Sequence, residues 1–258
     1  MKVEKVLEKI STQGVFSLMP EDFAGRQMTI AEVEAIFKVF DAFWMYQGDP
    51  SSERPHALLK SGLHSNGFIM CRAVLKYPSL CFLFAIEMFK IMDSKLSKPF
   101  GLGDIDVVAS SAYSAIPLGW EIARLLSTEK INPQAEYIEV EKDEKGNPTK
   151  IRGGIDSKKL VLVVNELMTT GTGSTWESKK AVLDCNSAKD YAPRIIEPVF
   201  VLMHRSRDFS LADGSLVQPV FHFDIENFEP EQCPYCQAGS KAIKPKFDNN
   251  WQRLHGLA

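Results

Sequence analysis

The sequence predicts an α/β fold, a mostly parallel sheet with helices on both faces. Three observations carry that reading. Short apolar runs alternate along the chain with longer helix-like segments. Several runs, "LVLVV" at 160–164 above all, are apolar at every position rather than every second one. A chain of 258 residues that is 45% hydrophobic and 24% charged also has the material for a large core. Strands apolar throughout belong to sheets covered on both faces, and strands alternating with helices are the pattern of parallel crossovers.

The first elements are helical. Thr29 followed by Glu32 makes a capping box, and Val33, Ile36, Phe37, Phe40 and Trp44 recur behind it at helical spacing, as in a packing helix. "MYQGDPSSERPH" (45–56), with its glycine, prolines and serines, reads as a connection. The main body is expected to begin near Ala57. Residues 1–56 are accordingly an N-terminal helical region with its connecting loop, 57–220 the core and 221–258 a small C-terminal extension.

Within the core, "GFIMC", "DIDVVAS", "AEYIEVE", "KLVLVV" and "EPVFVLM" read as strands, and Pro78–Leu96, Ile116–Leu126 and Ser174–Cys185 as helices. The polar stretch "KDEKGNPTKIRGGIDSK" (142–158) is long for a compact domain. By composition it is equally a mobile hairpin or a loop that closes over a site.

A net charge of −3 provides no general drive toward nucleic acid or an anionic membrane. Acidic residues interrupt any apolar stretch in "MKVEKVLEKISTQG", and no run approaches the roughly 20 apolar residues of a membrane span. The five cysteines are odd in number, in a chain large enough to fold without staples, so free thiols are expected. A cytoplasmic protein with neither nucleic-acid nor membrane partner is the simplest inference.

The stretch "VLVVNELMTTGTGST" (161–175) carries the chemistry. In an open α/β sheet, ligands bind beyond the carboxyl ends of the strands. A Thr/Gly loop there lets backbone N–H groups converge on an anion, hydroxyls add donors, and the following helix contributes its positive end. Asn165 and Glu166 offer acceptors to ribose hydroxyls, directly or through hydrated magnesium. Phosphate plus diol points to a sugar phosphate. The glycine spacing matches neither the P-loop nor the dinucleotide fingerprint.

The same stretch resembles the signature of the type I phosphoribosyltransferases. "LLKSGLHSNGFIMCRAVL" (58–75) resembles a segment near the start of the orotate phosphoribosyltransferases, and "VVASSAYSAIPLGWEIA" (107–123) their pyrophosphate loop and the helix after it. The resemblance spans roughly residues 57–202. It implies the type I phosphoribosyltransferase fold and Mg2+-dependent transfer of phosphoribosyl from phosphoribosyl pyrophosphate to a base, orotate first, through an oxocarbenium-like step. It also implies a homodimer in which a loop of one subunit reaches the other's site.

By the same resemblance, Thr169, Thr170, Gly171, Thr172, Gly173 and Ser174 hold the 5′-phosphate while Asn165 and Glu166 face the ribose. Lys60 and Phe68 are substrate-binding, Phe68 beside the base, and Tyr113 and Ser114 belong to the pyrophosphate loop. Lys142, Lys145, Lys150 and Arg152 are the catalytic candidates approaching the pyrophosphate, none singled out.

Two departures stand out. Asn165 takes the first of two acidic positions, and "SSAYSAI" lacks the glycine and lysine that the orotate enzymes often carry, removing a charge-assisted contact. They keep open a second function: a sensor or regulator that binds nucleotide or phosphoribosyl pyrophosphate without turnover. Thr172 reads as a feature of the orotate branch. In the tail, Cys233 and Cys236 form "CPYC", half of a structural zinc site whose other ligands would come from His222, Cys185, His255 or another subunit. The alternatives are a turn of unpaired thiols and a local disulfide. His204 and Arg205 read as capping a strand end.

Overall fold

The computed structural model describes residues 1–96, 99–142, 144, 148–186 and 191–256, without the side chains of 142 and 148–150. Helices α1 (Val3–Gln13) and α2 (Ile30–Val39) open the chain, followed by strands β1 (Phe43–Met45), β2 (His56–Leu58), β3 (His64–Ser65) and β4 (Gly67–Ile69). Helices α3 (Cys71–Leu75) and α4 (Pro78–Lys95) lead to β5 (Val107–Ser111), α5 (Ile116–Leu126), β6 (Glu136–Lys142) and β7 (Pro148–Lys150). Next come β8 (Leu160–Met168), α6 (Ser174–Leu183), β9 (Arg194–Ile195), β10 (Val199–His204) and β11 (Val217–His222). The tail carries β12 (Asn227–Phe228), α7 (Pro234–Gln237), β13 (Ala242–Ile243) and α8 (Asn250–Leu254).

The main sheet runs in the order β11-β10-β8-β5-β6-β7, with β9 beside the start of β8. It is parallel except for β7, which returns antiparallel along the β6 edge. Side-chain alternation splits the strands between two cores. Val108, Leu160, Leu162, Val164, Phe200 and Leu202 face one cluster, shared with α4, α5 and the N-terminal helices. Val107, Ala109, Val161, Val163, Val199 and Val201 face the other, covered by α6 through Ala181 and Val182. The unbroken apolar runs therefore reflect a sheet buried on both faces, as expected for an α/β fold.

At α2 the Thr29 hydroxyl accepts from the Glu32 N–H at 3.4 Å while the Thr29 N–H donates to Glu32 Oε2 at 2.8 Å, so the capping box forms. The helix does not extend to Trp44, correcting the sequence reading. Asp41, at φ 49°, turns the chain, and Trp44 lies in β1 opposite Phe68 of β4. Spacing alone could not register that reversal.

A second sheet, ordered β12-β3-β2-β13, stands over the carboxyl ends of the main strands. The β2–β3 hairpin is bracketed by two strands from the tail, β12 antiparallel to β3 and β13 parallel to β2. Gly62, at φ 91°, sits in the hairpin tip, where its N–H donates to the Leu59 carbonyl at 3.1 Å. That conformation explains the glycine of the "LKSG" segment. Trp44 Nε1 donates to the Leu254 carbonyl at 2.7 Å, fastening α8 to β1.

His204 closes β10, buried between Phe209 and His222, with its Nδ1 2.8 Å from His222 Nδ1 and its Nε2 3.2 Å from the Asp208 carbonyl. Burial, reinforced by His222, pushes it down to about 4. As pH falls the unfolded chain, with its histidine near 6.5, binds the proton first. The stability is whole above that value, falls toward pH 4 and changes little further below. Urea unfolding at pH 7 and pH 4 is expected to reveal a loss of roughly 2–3 kcal/mol from this residue. His204→Gln should remove that part of the slope, and an unchanged slope would refute the assignment.

Candidate functional site

The parallel strands deliver their carboxyl ends to one side of the sheet, and a cleft of about 650 Å³ lies there. Its floor is the end of β8 and the loop into α6: Glu166, Thr169, Thr170, Gly173 and Ser174. Its opposite wall is the hairpin tip with Lys60 and Ser61, joined by Phe68 and by Lys244, Pro245 and Lys246 of the tail. The cleft thus combines a small-residue loop at a helix N-terminus with three lysines and one carboxylate.

The loop is held from behind. The Ala212 N–H donates to the Gly171 carbonyl at 3.0 Å, and a Cβ at Gly171 would lie 2.4 Å from the Ser210 carbonyl oxygen. Gly171 is therefore glycine because another backbone passes against it. Gly171 and Thr172 line a second depression of about 420 Å³ on the far side of the loop, with Ser206, Arg207 and Asp208.

Asn165 and Glu166 do not act side by side. Asn165 is fully buried: its Oδ1 accepts from Ser111 Oγ at 2.9 Å, and its Nδ2 donates to Thr175 Oγ1 at 2.9 Å and Ser174 Oγ at 3.2 Å. This corrects the expectation that it faces the ribose. Asn165 instead joins β5, β8 and the first turn of α6, so the amide in place of a carboxylate holds the loop with one acceptor and one donor group. Glu166, one step along the strand, projects into the cleft.

Phe68 packs edge-on against Trp251, ring centroids 6.0 Å apart, with Lys246 Nζ 5.6 Å from its own centroid. Tyr113 and Ser114 occupy the turn between β5 and α5, outside the residues that line either depression. Tyr113 is exposed and holds φ 74°, a left-handed conformation that costs a non-glycine residue about 1–2 kcal/mol.

Of the catalytic candidates, Arg152 is not among the described residues that line the cleft. Lys142 and Lys150 fall on β6 and β7, at the sheet edge, and Arg152 follows, its Nε 2.9 Å from Glu141 and its side chain 83% exposed. Lys145 lies outside the described residues. Within the 142–158 stretch, β7 pairs antiparallel with β6 at the sheet edge.

Arg205 is the residue that sequence reasoning misjudged. It does more than cap β10: it lines the cleft while 2% exposed, its guanidinium donating to Gly67 O at 3.0 Å, Ser65 Oγ at 2.6 Å and Asn227 Oδ1 at 2.7 Å. Those acceptors are neutral, and Nε has no hydrogen-bond partner among the described residues. Burial pushes Arg205 down to about 10, which still leaves it charged at neutral pH. An arginine directly after a parallel strand's carboxyl end was the available signal. Lys244 and Lys246 carried none, because only the folded tail brings them over the cleft.

The tail cysteines also meet other neighbours than expected. His222 is engaged by His204, His255 Nδ1 lies 2.9 Å from the Trp251 carbonyl, and Cys185 packs at the end of α6. His56 and His64 lie beside Cys233 and Cys236 instead.

No family model matches the chain. Among curated proteins, it is 31% identical over 192 residues to the orotate phosphoribosyltransferase of Caldicellulosiruptor bescii, covering 74% of this chain and 87% of that one. It is 30% identical over 219 residues to the orotate phosphoribosyltransferase of Pelotomaculum thermopropionicum, covering 84% and 97%. Among solved structures, the orotate phosphoribosyltransferase from Aeropyrum pernix aligns with a TM-score of 0.49 at 19% identity, over 72% of this chain and 91% of that one. The strand order described above, rather than that alignment, carries the fold assignment.

Proposed function

The chain belongs to the orotate phosphoribosyltransferase family, and from that premise we propose that its cleft transfers the phosphoribosyl group of phosphoribosyl pyrophosphate to orotate, releasing pyrophosphate. The observation that carries this reading is the Thr169–Ser174 loop at the end of β8, which shares one cleft with Glu166, Lys60 and Phe68.

The chemistry follows from that placement. Backbone N–H groups of the loop and the first turn of α6 take the 5′-phosphate, and the Thr169 and Thr170 hydroxyls add donors. Glu166 accepts from ribose hydroxyls. The planar base lies toward Phe68, and the cationic side chains around it suit an anionic base and the charge developing on departing pyrophosphate. The enclosing hairpin and tail exclude water from a cationic sugar.

Mg2+ bound with the diphosphate would neutralise charge on the leaving group. Glu166 is the carboxylate among the described lining residues, an oxygen donor suited to an ion that keeps most of its waters and substrate oxygens. The edge position of the β6–β7 hairpin favours delivery of Lys142, Lys145, Lys150 and Arg152 to a neighbouring subunit's cleft in a homodimer. No helix among the described residues is long and apolar enough to cross a membrane, and the described cysteines are free, which suits a cytoplasmic setting.

The test is orotate consumption followed by ultraviolet absorbance with phosphoribosyl pyrophosphate and Mg2+, beside a binding titration on the same preparation. Turnover dependent on all three components is expected. Tight binding without turnover would overturn the transferase reading in favour of a sensor.

A further inference from the structure

One cluster of ligating side chains takes no part in the chemistry above. His56 on β2, His64 on β3, and Cys233 and Cys236 around α7 place one ligand atom each within 4.8 Å of one another. His56 Nε2 lies 3.1 Å from His64 Nδ1, 3.4 Å from Cys233 Sγ and 3.6 Å from Cys236 Sγ, and Cys236 Sγ lies 3.2 Å from His64 Nδ1. An ion bonded tetrahedrally at about 2.05 Å to nitrogen and about 2.3 Å to sulfur sets edges of about 3.3 Å between nitrogens and about 3.6 Å between nitrogen and sulfur. The observed separations fall at or slightly inside those edges.

The surroundings fit as well. Ser240 Oγ donates to the Arg54 carbonyl at 2.5 Å, so it accepts from His56 Nδ1 at 2.8 Å. This places the imidazole proton on Nδ1 and turns the Nε2 lone pair toward the cluster, the outer contact that orients a metal-bound histidine. His56, His64 and Cys233 are buried, and both cysteines are free thiols. Two imidazoles and two thiolates match zinc in donor type and geometry, and two thiolates balance its charge in a buried place.

We propose that His56, His64, Cys233 and Cys236 bind a structural zinc ion that clamps the C-terminal extension to the hairpin carrying Lys60. All four positions of the ion are filled by protein, so it takes no part in the transfer. On binding, the two thiol protons leave to solvent.

The full-length protein, dialysed against metal-free buffer, is expected to carry about one zinc ion per chain by elemental analysis. Cys233→Ser with Cys236→Ser should lose it, and Cys185→Ser should keep it. Because the double variant could fail to fold, the wild-type chain is also refolded with Co2+, where the visible bands of tetrahedral cobalt with thiolate ligands are expected. Folded wild-type protein without metal, zinc retained by the folded double variant, or cobalt without those bands would each overturn the proposal, whether or not the enzyme turns over orotate.

Discussion

Gly171→Ala is expected to lower kcat/KM for phosphoribosyl pyrophosphate by at least about 100-fold, the scale on which a displacement near 1 Å acts on a positioned site. The new Cβ would meet the Ser210 carbonyl oxygen at 2.4 Å, a contact with backbone that no rotamer relieves. Ser210 is itself held by its bridge to Leu216, and the Ala212 N–H ties the same segment to the Gly171 carbonyl. The loop must therefore move, and its donors move with it. Gly173→Ala is the control, because a Cβ there comes only to 3.4 Å of the Thr170 hydroxyl, which can rotate. Steady-state kinetics on both variants should differ by more than tenfold, about 1.4 kcal/mol. Equal losses would mean that close packing against Ser210 does not position the loop.

Arg205→Met should act on the other substrate. Its charge is buried among neutral acceptors at the cleft, so an anionic base entering there meets a desolvated cation. Loss of such a contact costs about 2–5 kcal/mol of binding, or a rise of roughly 30-fold or more in KM for orotate. The same substitution removes the guanidinium donors from Gly67 O, Ser65 Oγ and Asn227 Oδ1, at about 1–3 kcal/mol for each acceptor left unpaired that water does not reach, while Ser65 Oγ keeps the Gly67 N–H at 3.3 Å. Relief of the buried charge offsets part of that cost. Arg205→Lys keeps the charge without the fork that spans three acceptors, so partial rescue is expected. Were KM for both substrates to rise together in a stable variant, Arg205 would be a positioning residue for the hairpin alone.

Much of the central sheet was legible because several of its runs, 160–164 above all, are apolar at every position, a pattern suited to a doubly covered sheet. The loop that floors the cleft was legible as a loop because small and hydroxyl residues stood directly after such a strand. Asn165 shows where the reading stopped short. Val163 and Asn165 share a face of β8, so counting by twos would have placed the amide with the α6-side core and left Glu166 to the cleft. Trp44 kept helical spacing past the end of its helix because left-handed backbone at Asp41 leaves no trace in hydrophobic periodicity. Lys244, Lys246 and the His56–His64 pair were hidden for a different reason. Each acquires its neighbours through contacts between the two ends of the chain.

Those same contacts impose an order in time. Strands β2 and β3 find their edge partners only in β12 and β13, residues made more than 150 positions later. During synthesis the Thr169–Ser174 loop and its strands can pack before the tail exists, while the hairpin bearing Lys60 waits without either flanking strand. Pairings so distant in sequence are slow to close. The hairpin wall is thus the last part of the cleft to assemble, and a ribosome that stops short of β12 releases a chain with its Thr169–Ser174 loop in place and no roof above it.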